Sequence, residues 1–475
     1  MSHISLKHRI GLVYVPGALP CFEDFGNLPT DIVGGDGRVR GQPASEVLDM
    51  LIIPGGSLVE SGSITGDLAR EIVKMAEGGK YLLGICAGFQ VLAKSTDTGR
   101  LSPTPIIRQG LGLLDVEFEP LICTDRVSAT ITGQSFMTEN VGSKVTGFHC
   151  HTYGKITLGD DARLIMVSHV KRVNYRNDPQ DLISGVSNKK GNIVGVLVHG
   201  LLDENPAITS SIAKSLGITS EEFEEIRKVN AALKARLKSE VGISTGWKVQ
   251  DHPKVNGNTR GLLFTAVGSG AGKTFVLAGV AGALKRRGIH VGVLKVGGDI
   301  RDIVPSLYLI KEPIRHYSSI RLGSSGWMPL NEAFKAASGD YQLLLIEGAM
   351  GDLTGLLNMM VEHPFSTIEV ALAMNLPVIL VAACDKGGIE GAITDTVHHI
   401  DLLKGLGVNV VGVILNKVRL SYMTKDIRFF IEKALSLRGV GLLGVIPRLE
   451  MTARGMIPEV EIRYEDFGGK ALESV

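Results

Sequence analysis

Short runs of Val, Ile and Leu alternate with helical patterns along the whole chain, and this alternation limits the possible folds more than any other feature. The runs are almost continuously apolar, which is typical of strands that are covered on both faces. They predict an α/β fold with mostly parallel sheets flanked by helices. The predicted strands span 10–15, 50–53, 81–85, 113–118 and 193–198, and then 261–266, 291–295, 342–346, 378–382, 410–415 and 442–446.

The two series of strands indicate two domains, which a chain of 475 residues can readily form. Between them, residues 221–241 are charged and helix-prone. Residues 242–260 are rich in Gly, Pro, Asn, Asp and Ser, which is typical of a linker, and the boundary is placed near Asn256. The prediction is a first domain over 1–219, a helical segment and linker over 220–257, and a second domain over 258–475. Residues 124–180 are mixed in pattern and strand-rich.

One cysteine lies on a predicted sharp turn between a strand and a helix. The turn reads Gly-Ile-Cys-Ala-Gly-Phe-Gln with Cys86 at its centre, after an apolar run and before a helical one. A thiol at a helix N-terminus feels the positive end of the peptide dipoles, which favours the nucleophilic thiolate. The pattern predicts a nucleophile elbow with sulfur at its tip, and a buried structural cysteine is the alternative.

A glycine-rich loop follows the predicted strand 261–266 and opens a predicted helix over 275–287. In this setting backbone N–H groups can cradle a polyphosphate, and the helix N-terminus adds positive potential. We expect Lys273 to contact the β- and γ-phosphates and Thr274 to ligate Mg²⁺. The usual pattern has glycine where this chain has Val267. The loop consists of Gly268, Ser269, Gly270, Ala271, Gly272, Lys273 and Thr274.

Two carboxylates follow strands of the same series. Asp299 lies just beyond the strand 291–295, and Glu347 ends the strand 342–346. Ligands of open parallel sheets gather at the carboxyl ends of the strands, where the glycine-rich loop also lies. We therefore expect Asp299 and Glu347 to hold a metal ion together with Thr274, although each could instead be a solvated loop residue.

The composition argues against several kinds of partner. The net charge is +1 without a basic tail, so no nucleic acid partner is expected.

The five cysteines are odd in number and widely spaced, which favours the reducing cytoplasm over a disulfide-bonded or CxxC metal protein. The first nine residues carry no signal-peptide core, and the longest apolar stretch, 371–384, is too short to cross a bilayer, so no membrane association is expected. A homo-oligomer is compatible with the sequence.

The motifs together resemble a known family. The first half resembles class I glutamine amidotransferase domains, in the subgroup attached to cobyrinic acid a,c-diamide synthase and cobyric acid synthase. Its matching segments are 52–56, the turn around Cys86, 110–115, 147–151 and 198–203. The second half resembles the ATP-dependent amidoligase domain of the same enzymes, which is related to dethiobiotin synthetase. Its matching segments are 269–274, 295–302, 347–351, 385–388, 412–417 and 444–447.

The resemblance implies a flavodoxin-type glutaminase domain followed by a P-loop domain. In the first, Cys86 would attack the side-chain amide of glutamine and form a thioester, and His199 would relay protons. The implied oxyanion and glutamine-binding residues are Gly55, Gly56, Ala87 and Gln90.

In the second domain, the resemblance implies that ATP phosphorylates a substrate carboxylate and that ammonia then displaces the phosphate. Lys273, Lys295 and Mg²⁺ would neutralise charge, and Asn416 falls where related enzymes contact adenine. The implied acceptor is a tetrapyrrole-like acid, such as a cobyrinic or cobyric acid precursor.

The chain departs from the family pattern at three points. Typical class I glutaminases have Glu two residues after the catalytic His, where this chain has Leu201, and Asp203 or Glu204 are possible replacements. The family usually places the ATP domain first. Residues 295–299 resemble the a,c-diamide branch of the family, whereas 385–389 resemble the cobyric acid branch. The sequence therefore does not decide which acid accepts the ammonia.

Other interpretations stay open beside this one. The second half could be a nucleotide-dependent switch, as in partition ATPases, joined to a glutaminase-like binding module. Those switches carry a second lysine at the position of Gly268, which counts against this interpretation. The chain could also be a ligase that uses free ammonia. His149 and His151 favour a structural role near the glutaminase site over a metal pair, and the pair 398–399 is expected at the surface.

Overall fold

The computed structural model describes residues 6–15, 23–56, 62, 64–241, 247–248, 260–355, 366–449 and 464–475. They form two compact units. Of the described residues, the first unit contains those up to 239 together with 311–314 and 464–465, and the second contains those within 240–310, 315–449 and 466–475. The predicted domain boundaries stay a prediction, since most of the predicted linker 242–260, including Asn256, lies outside the described residues.

The first unit is built around a nine-stranded sheet, with a four-stranded sheet and a two-stranded ribbon beside it. Its strands are β1 (Ile10–Val13), β2 (Asp31–Val33), β3 (Arg38–Val39), β4 (Gln42–Pro43), β5 (Met50–Ile53), β6 (Tyr81–Ile85), β7 (Ser95–Asp97), β8 (Ile107–Gln109), β9 (Val116–Glu119), β10 (Arg126–Ile131), β11 (Lys144–Phe148), β12 (Lys155–Leu158), β13 (Ala162–Val173), β14 (Arg176–Asn188) and β15 (Ile193–Val196).

The large sheet has the order β11-β10-β13-β14-β15-β6-β5-β1-β2. Strands β2, β1, β5, β6 and β15 pair in parallel. Strands β15, β14, β13, β10 and β11 pair antiparallel, so the strand-rich region 124–180 extends the parallel part. The smaller sheet has the order β12-β9-β7-β8.

Apolar side chains cover both faces of the parallel part, as the continuous Val, Ile and Leu runs predict. Neighbours along a strand point to opposite faces. Accordingly Leu83 packs into one core cluster and Leu82 into the other, and the same alternation separates Ile52 from Ile53. The helices that flank this sheet are α1 (Ala44–Val47), α2 (Gly66–Glu77), α3 (Ala87–Leu92), α4 (Leu201–Glu204), α5 (Pro206–Leu216) and α6 (Ser220–Lys238).

The second unit contains a seven-stranded sheet in which every pair is parallel, with the order β20-β19-β21-β18-β22-β23-β24. The strands are β16 (Glu240–Val241), β17 (Trp247–Lys248), β18 (Arg260–Thr265), β19 (Val291–Val296), β20 (Ser319–Ile320), β21 (Leu343–Glu347), β22 (Val378–Ala383), β23 (Val410–Val418) and β24 (Gly441–Pro447), of which β16 and β17 form a separate antiparallel ribbon.

The helices of the second unit are α7 (Lys273–Arg286), α8 (Val304–Ile310), α9 (Leu330–Ser338), α10 (Thr367–Ala373), α11 (Gly388–Gly405), α12 (Lys425–Ser436) and α13 (Tyr464–Ser474). Helix α7 begins after Gly272, whose φ of 87° favours glycine. Helix α10 begins with a capping box between Ser366 and Glu369. None of the helices in the described ranges is both long and apolar enough to cross a bilayer.

The two-domain α/β prediction is confirmed, and most predicted strands coincide with observed ones. The predictions 50–53 and 81–85 have the bounds of β5 and β6. Strand β9 begins at Val116, three residues later than the predicted 113. The reason is that the backbone N–H groups of Leu111, Gly112 and Leu114 donate to carbonyls at the end of α3 and just beyond it.

Candidate functional site

Cys86 lies on the turn between β6 and α3. Its backbone has φ 50° and ψ −107°, a conformation that a residue with a Cβ rarely adopts. The backbone N–H of Cys86 donates to the Val196 carbonyl at 2.8 Å, which ties the turn to β15. Strained backbone of this kind costs about 1–3 kcal/mol and clusters at functional sites. The turn therefore places a thiol at the N-terminus of α3, at the carboxyl edge of the parallel strands.

Two glycines allow this turn to pack tightly. A Cβ on Gly88 would lie 2.0 Å from the Ile53 carbonyl oxygen, and one on Gly84 would lie 2.6 Å from the Gly88 carbonyl oxygen. Both atoms belong to backbone, which cannot move aside easily. The close approach of α3 to β5 and β6 thus requires small residues on each side of Cys86.

His199 is held from three sides. Its backbone N–H donates to the Phe148 carbonyl at 2.8 Å, and the Phe148 N–H donates back to the His199 carbonyl at 3.0 Å. The Phe148 ring stacks on the imidazole with centroids 5.3 Å apart. A Cβ on Gly147 would lie 2.4 Å from the His199 carbonyl oxygen, so this close approach requires glycine there. These contacts explain the Gly-Phe-His segment that the sequence resemblance singled out.

The imidazole of His199 also contacts the carboxylate of Glu23, a residue that sequence reasoning missed. Glu23 Oε1 lies 2.7 Å from His199 Nδ1, and Glu23 Oε2 accepts the backbone N–H of Gly200 at 2.9 Å. Both side chains are about 1% exposed. Burial alone would lower the pKa of His199, but the charges of Cys86 and Glu23 outweigh it and raise that pKa to about 10.

The residues predicted to bind glutamine lie around these groups. A Cβ on Gly55 would lie 2.7 Å from His199 Cε1 and 3.7 Å from the Cβ of Cys86, so the backbone of Gly55 borders both side chains. Gly56 follows it, and Ala87 is the first residue of α3. The side-chain amide of Gln90 donates to the Tyr153 carbonyl at 3.0 Å inside the protein. The roles of Gly55, Gly56, Ala87 and Gln90 toward glutamine stay predictions.

The acids near His199 in sequence have other partners. Asp203 accepts the backbone N–H groups of Asp24 at 2.9 Å and Gly26 at 2.7 Å. Glu204 forms an ion pair with Arg126, with N–O distances of 2.5 and 2.8 Å.

The two neighbouring histidines are buried and bonded to each other. His151 Nε2 lies 3.0 Å from His149 Nδ1, and His151 Nδ1 lies 3.1 Å from the Leu121 carbonyl oxygen. Burial lowers the pKa of His149 well below its ordinary value. A buried pair whose rings are bonded to each other agrees with the structural role expected from the sequence.

In the second unit, the glycine-rich loop connects β18 to α7. Gly270 and Gly272 have φ of 80° and 87°, which glycine adopts without strain. A Cβ on Gly268 or Gly270 would meet no atom within 4 Å, so the space beside them is open. Lys273 and Thr274 begin α7, and the loop presents its backbone where the helix dipole is positive.

Lys273 and Thr274 both contact the end of β21. Lys273 Nζ donates to the Met350 carbonyl at 2.6 Å, and burial lowers the pKa of Lys273. Thr274 Oγ1 donates to Glu347 Oε1 at 2.6 Å. Burial raises the pKa of Glu347 above its ordinary value although Lys295 opposes this shift. Within the described residues, Glu347 Oε2 is buried without a hydrogen-bond partner.

Lys295 lies at the end of β19, and its ammonium group also lies close to Glu347. Its Nζ lies 2.6 Å from Asp302 and 3.7 Å from Glu347. Burial would lower the pKa of Lys295, but Glu347 and Asp302 outweigh it and raise that pKa. Asp299 instead forms a bidentate pair with Arg301 at 2.8 and 2.7 Å. Asp302 is thus a second acid beside Lys295 that sequence reasoning did not single out, and the metal role of Asp299 stays a prediction.

These groups fit Mg²⁺. No three His, Cys, Asp or Glu side chains converge on one point in the parts of the chain that the structure describes. Mg²⁺ does not need such a cage, because it keeps several waters and binds through one or two protein oxygens plus substrate phosphates. The Thr274 hydroxyl and the unpaired oxygen of Glu347 supply such oxygens beside the glycine-rich loop.

Asn416 and Lys417, at the end of β23, brace the glycine-rich loop. Asn416 Nδ2 donates to the Ala271 carbonyl at 2.9 Å, and Lys417 Nζ donates to the Gly270 carbonyl at 2.8 Å. The predicted contact of Asn416 with adenine stays a prediction, and its visible partner is the loop.

One histidine of the pair 398–399 is not at the surface as expected. His399 is buried, and its Nε2 lies 2.9 and 2.8 Å from the two carboxylate oxygens of Asp352. The residue lies on the face of α11 that packs on the sheet, which the flanking apolar positions could have indicated.

Comparisons with known proteins match a different family model to each half of the chain. A family model for a CobB/CobQ-like glutamine amidotransferase domain matches residues 9–207, and one for a CobQ/CobB/MinD/ParA nucleotide binding domain matches residues 262–457. A phosphoribosylformylglycinamidine synthase subunit PurQ from Trichormus variabilis is 30% identical over 220 residues, which are 43% of this chain and 92% of that protein. The chain joins a CobB/CobQ-like glutamine amidotransferase domain to a CobQ/CobB/MinD/ParA-type nucleotide binding domain. Its amidotransferase domain precedes its nucleotide-binding domain, as the motifs predicted.

Other relatives of this CobB/CobQ-like chain match part of their length. A cobyrinate a,c-diamide synthase from Streptococcus sanguinis is 28% identical over 226 residues, which are 45% of this chain and 47% of that protein. A cobyric acid synthase from Thermoanaerobacter sp. is 30% identical over 190 residues, which are 38% of this chain and 36% of that protein. The chain therefore spans less than half the length of these two relatives.

Proposed function

We propose that this chain is a glutamine-dependent amidotransferase that uses ATP and Mg²⁺ to convert carboxylates of a tetrapyrrole-like acid into amides. The observation that carries this proposal is the presence, in one chain, of Cys86 beside His199 and of a glycine-rich phosphate loop beside Glu347. A sulfur nucleophile with a histidine suits the release of ammonia, and a phosphate loop suits the activation of an acid. The names of the two synthase relatives support the class of acceptor.

In the amidotransferase domain, the Cys86 sulfur attacks the side-chain carbonyl carbon of glutamine. A C–S bond forms, the C–N bond breaks, and the His199 imidazolium gives its proton to the departing nitrogen, which leaves as ammonia. Backbone N–H groups near Gly56 and Ala87 hold the negative charge on the oxygen. Neutral His199 then takes a proton from water, whose oxygen attacks the thioester and releases glutamate.

In the nucleotide-binding domain, a carboxylate oxygen of the acceptor attacks the γ-phosphorus of ATP, and ADP leaves. The resulting acyl phosphate is needed because hydroxide is too poor a leaving group for ammonia to displace. Ammonia then attacks the acyl carbon, phosphate leaves and an amide remains. Lys273 and Lys295 neutralise negative charge on the transferred group.

The residues that would hold Mg²⁺ are Thr274 and Glu347, with Asp299 as a further predicted ligand. When bound, the ion would supply positive charge that offsets the negative charge of the nucleotide phosphates. Glu347 is buried near Lys295, whose charge compensates part of the cost of burying the carboxylate.

The test is a screen of acids for stimulation of phosphate release from ATP. The protein is supplied with ATP, Mg²⁺ and glutamine, and cobyrinate is compared with other tetrapyrrole carboxylic acids and with small dicarboxylic acids. We expect a tetrapyrrole acid to stimulate phosphate release, with one amide per phosphate counted by mass spectrometry. Phosphate release without an amide on any acid would instead support a nucleotide-dependent switch and would contradict the proposal.

A further inference from the structure

We propose that Glu23 is the positioning residue of the glutaminase site, where it orients His199. This inference rests on the proposed glutaminase function. The position two residues after His199, where typical class I glutaminases have Glu, is occupied by Leu201, which is 1% exposed and packs in the apolar core. The role of that missing acid passes to Glu23, which lies 176 positions before His199 in the chain.

The contacts of Glu23 need a carboxylate. Its two oxygens face His199 Nδ1 at 2.7 Å and the Gly200 N–H at 2.9 Å. The Gly200 N–H is a donor, and a carboxylate oxygen beside Nδ1 favours a proton on that nitrogen. The arrangement therefore sets the imidazole with its proton on Nδ1 and leaves Nε2 to exchange a proton with Cys86. An amide in place of the carboxylate would turn an N–H toward one of these two donors.

The loop that carries Glu23 is itself fixed in place. Asp203, on α4, accepts the backbone N–H groups of Asp24 at 2.9 Å and Gly26 at 2.7 Å. Lys234, on α6, lies 3.1 Å from an Asp24 carboxylate oxygen and 2.6 Å from the side-chain oxygen of Asn27. Because α4 begins directly after His199 and Gly200, Asp203 ties the Glu23 loop to the segment that bears the imidazole. Asp203 thus holds the loop, while the loop supplies the acid.

Several titratable groups surround Glu23 and His199, and each of them contributes to the pH dependence of the activity. Cys86, Glu23 and His149 interact electrostatically with His199, and Asp203 with Glu23. The stacked Phe148 ring contributes no charge. Removal of the Glu23 charge should therefore lower the pKa of His199 while Cys86 stays in place.

The experiment compares Glu23→Gln with the wild-type full-length protein in glutamine hydrolysis and in ammonia-dependent amidation. We expect kcat for glutamine hydrolysis to fall by about 10²- to 10⁴-fold, as for loss of other orienting carboxylates. The KM for glutamine and the ammonia-dependent rate should stay within about threefold, since neither requires proton transfer by His199. The matched control is Glu204→Gln, which removes an acid bonded to Arg126 and should keep kcat within about threefold.

The outcomes separate this inference from the proposed function. If the wild-type protein releases no glutamate from glutamine, the proposed function fails. If the wild-type protein is active and Glu23→Gln keeps its kcat, or if Glu204→Gln loses activity instead, Glu23 does not orient His199.

A measurement on the wild-type protein covers the case in which Glu23→Gln does not fold. The ¹⁵N spectrum of labelled His199 should show a proton on Nδ1 across neutral pH, and an unprotonated Nδ1 would overturn the inference.

Discussion

At the scale of single residues, the proposed glutaminase site brings several charged side chains together inside the protein. Cys86 and Glu23 both act on His199, and together they outweigh the cost of burying a charged imidazole. In the proposed reaction, the glutamyl thioester has no negative charge on sulfur, so acylation of Cys86 would remove one of these two influences. His199 would then give up its proton more readily, which suits the proposed change of this residue from acid to base between the two halves of the reaction.

This charge arrangement predicts how stability depends on pH. The pKa of His199 is about 10 in the folded protein against an ordinary value of 6.5. The protonated ring therefore adds stability that is fully present below pH 6.5 and is lost as the pH rises toward 10. We expect the free energy of unfolding of the wild-type protein, relative to His199→Asn, to fall by roughly 5 kcal/mol over this interval. Urea unfolding at several pH values measures it, and a difference that stays constant would contradict the assigned charge state.

At the scale of elements, close backbone crossings decide where the functional side chains lie. Strand β11 crosses the segment that bears His199 so closely that Gly147 cannot carry a side chain. The same is true of α3 against β5 at Gly88. In the second unit, the end of β23 supports the glycine-rich loop through Asn416. These crossings place Cys86 and His199 side by side although 113 residues separate them in the sequence.

The crossing at Gly147 is testable with Gly147→Ala. The added methyl group would press on the His199 carbonyl, so β11 and the imidazole must shift apart. We expect a loss of about 1–3 kcal/mol in the free energy of unfolding and at least a tenfold lower rate of glutamine hydrolysis. The control is Gly391→Ala in α11, where a Cβ meets no atom within 4 Å and alanine should stabilise the helix by roughly 1 kcal/mol. Equal behaviour of the two variants would show that the crossing is not tight.

The brace on the glycine-rich loop is testable with Asn416→Ala. Loss of the hydrogen bond to the Ala271 carbonyl should loosen the loop and raise the Kd for ATP about five- to tenfold, as measured by calorimetry. The Kd for GTP should rise by the same factor if Asn416 acts through the loop. A loss confined to ATP would show instead that Asn416 reads adenine. The exposed Asn409→Ala is the control, and its Kd for ATP should not change.

The sequence predicts local features far better than distant contacts. The bounds of β5 and β6 follow from short apolar runs that end in glycine-containing turns, and the glycine-rich loop follows from its own spacing. The contact of Glu23 with His199 depends on the path of a loop that Asp203 and Lys234 fix, and no local pattern encodes it. His399 was misplaced because a histidine pair says little about which helix face is buried, whereas the apolar periodicity of α11 places it inward.

At the scale of the whole molecule, the proposed function combines two chemistries that need each other. The amidotransferase domain precedes the nucleotide-binding domain, and each contains its own candidate site. Ammonia is the one species that the proposed reactions share. A variant that blocks its release should therefore be rescued by ammonia from solution, whereas a variant that blocks activation of the acid should not.

The most direct test of the account is the nitrogen source of Cys86→Ala with a tetrapyrrole acid that the wild-type protein amidates. The matched variant is Lys273→Ala, which removes the phosphate-loop ammonium. We expect Cys86→Ala to lose at least 10³-fold of its amidation rate with glutamine and to keep the wild-type rate with ammonium chloride. Lys273→Ala should lose the rate with both sources. Undiminished amidation by Cys86→Ala with glutamine would contradict the central claim that this sulfur releases the nitrogen.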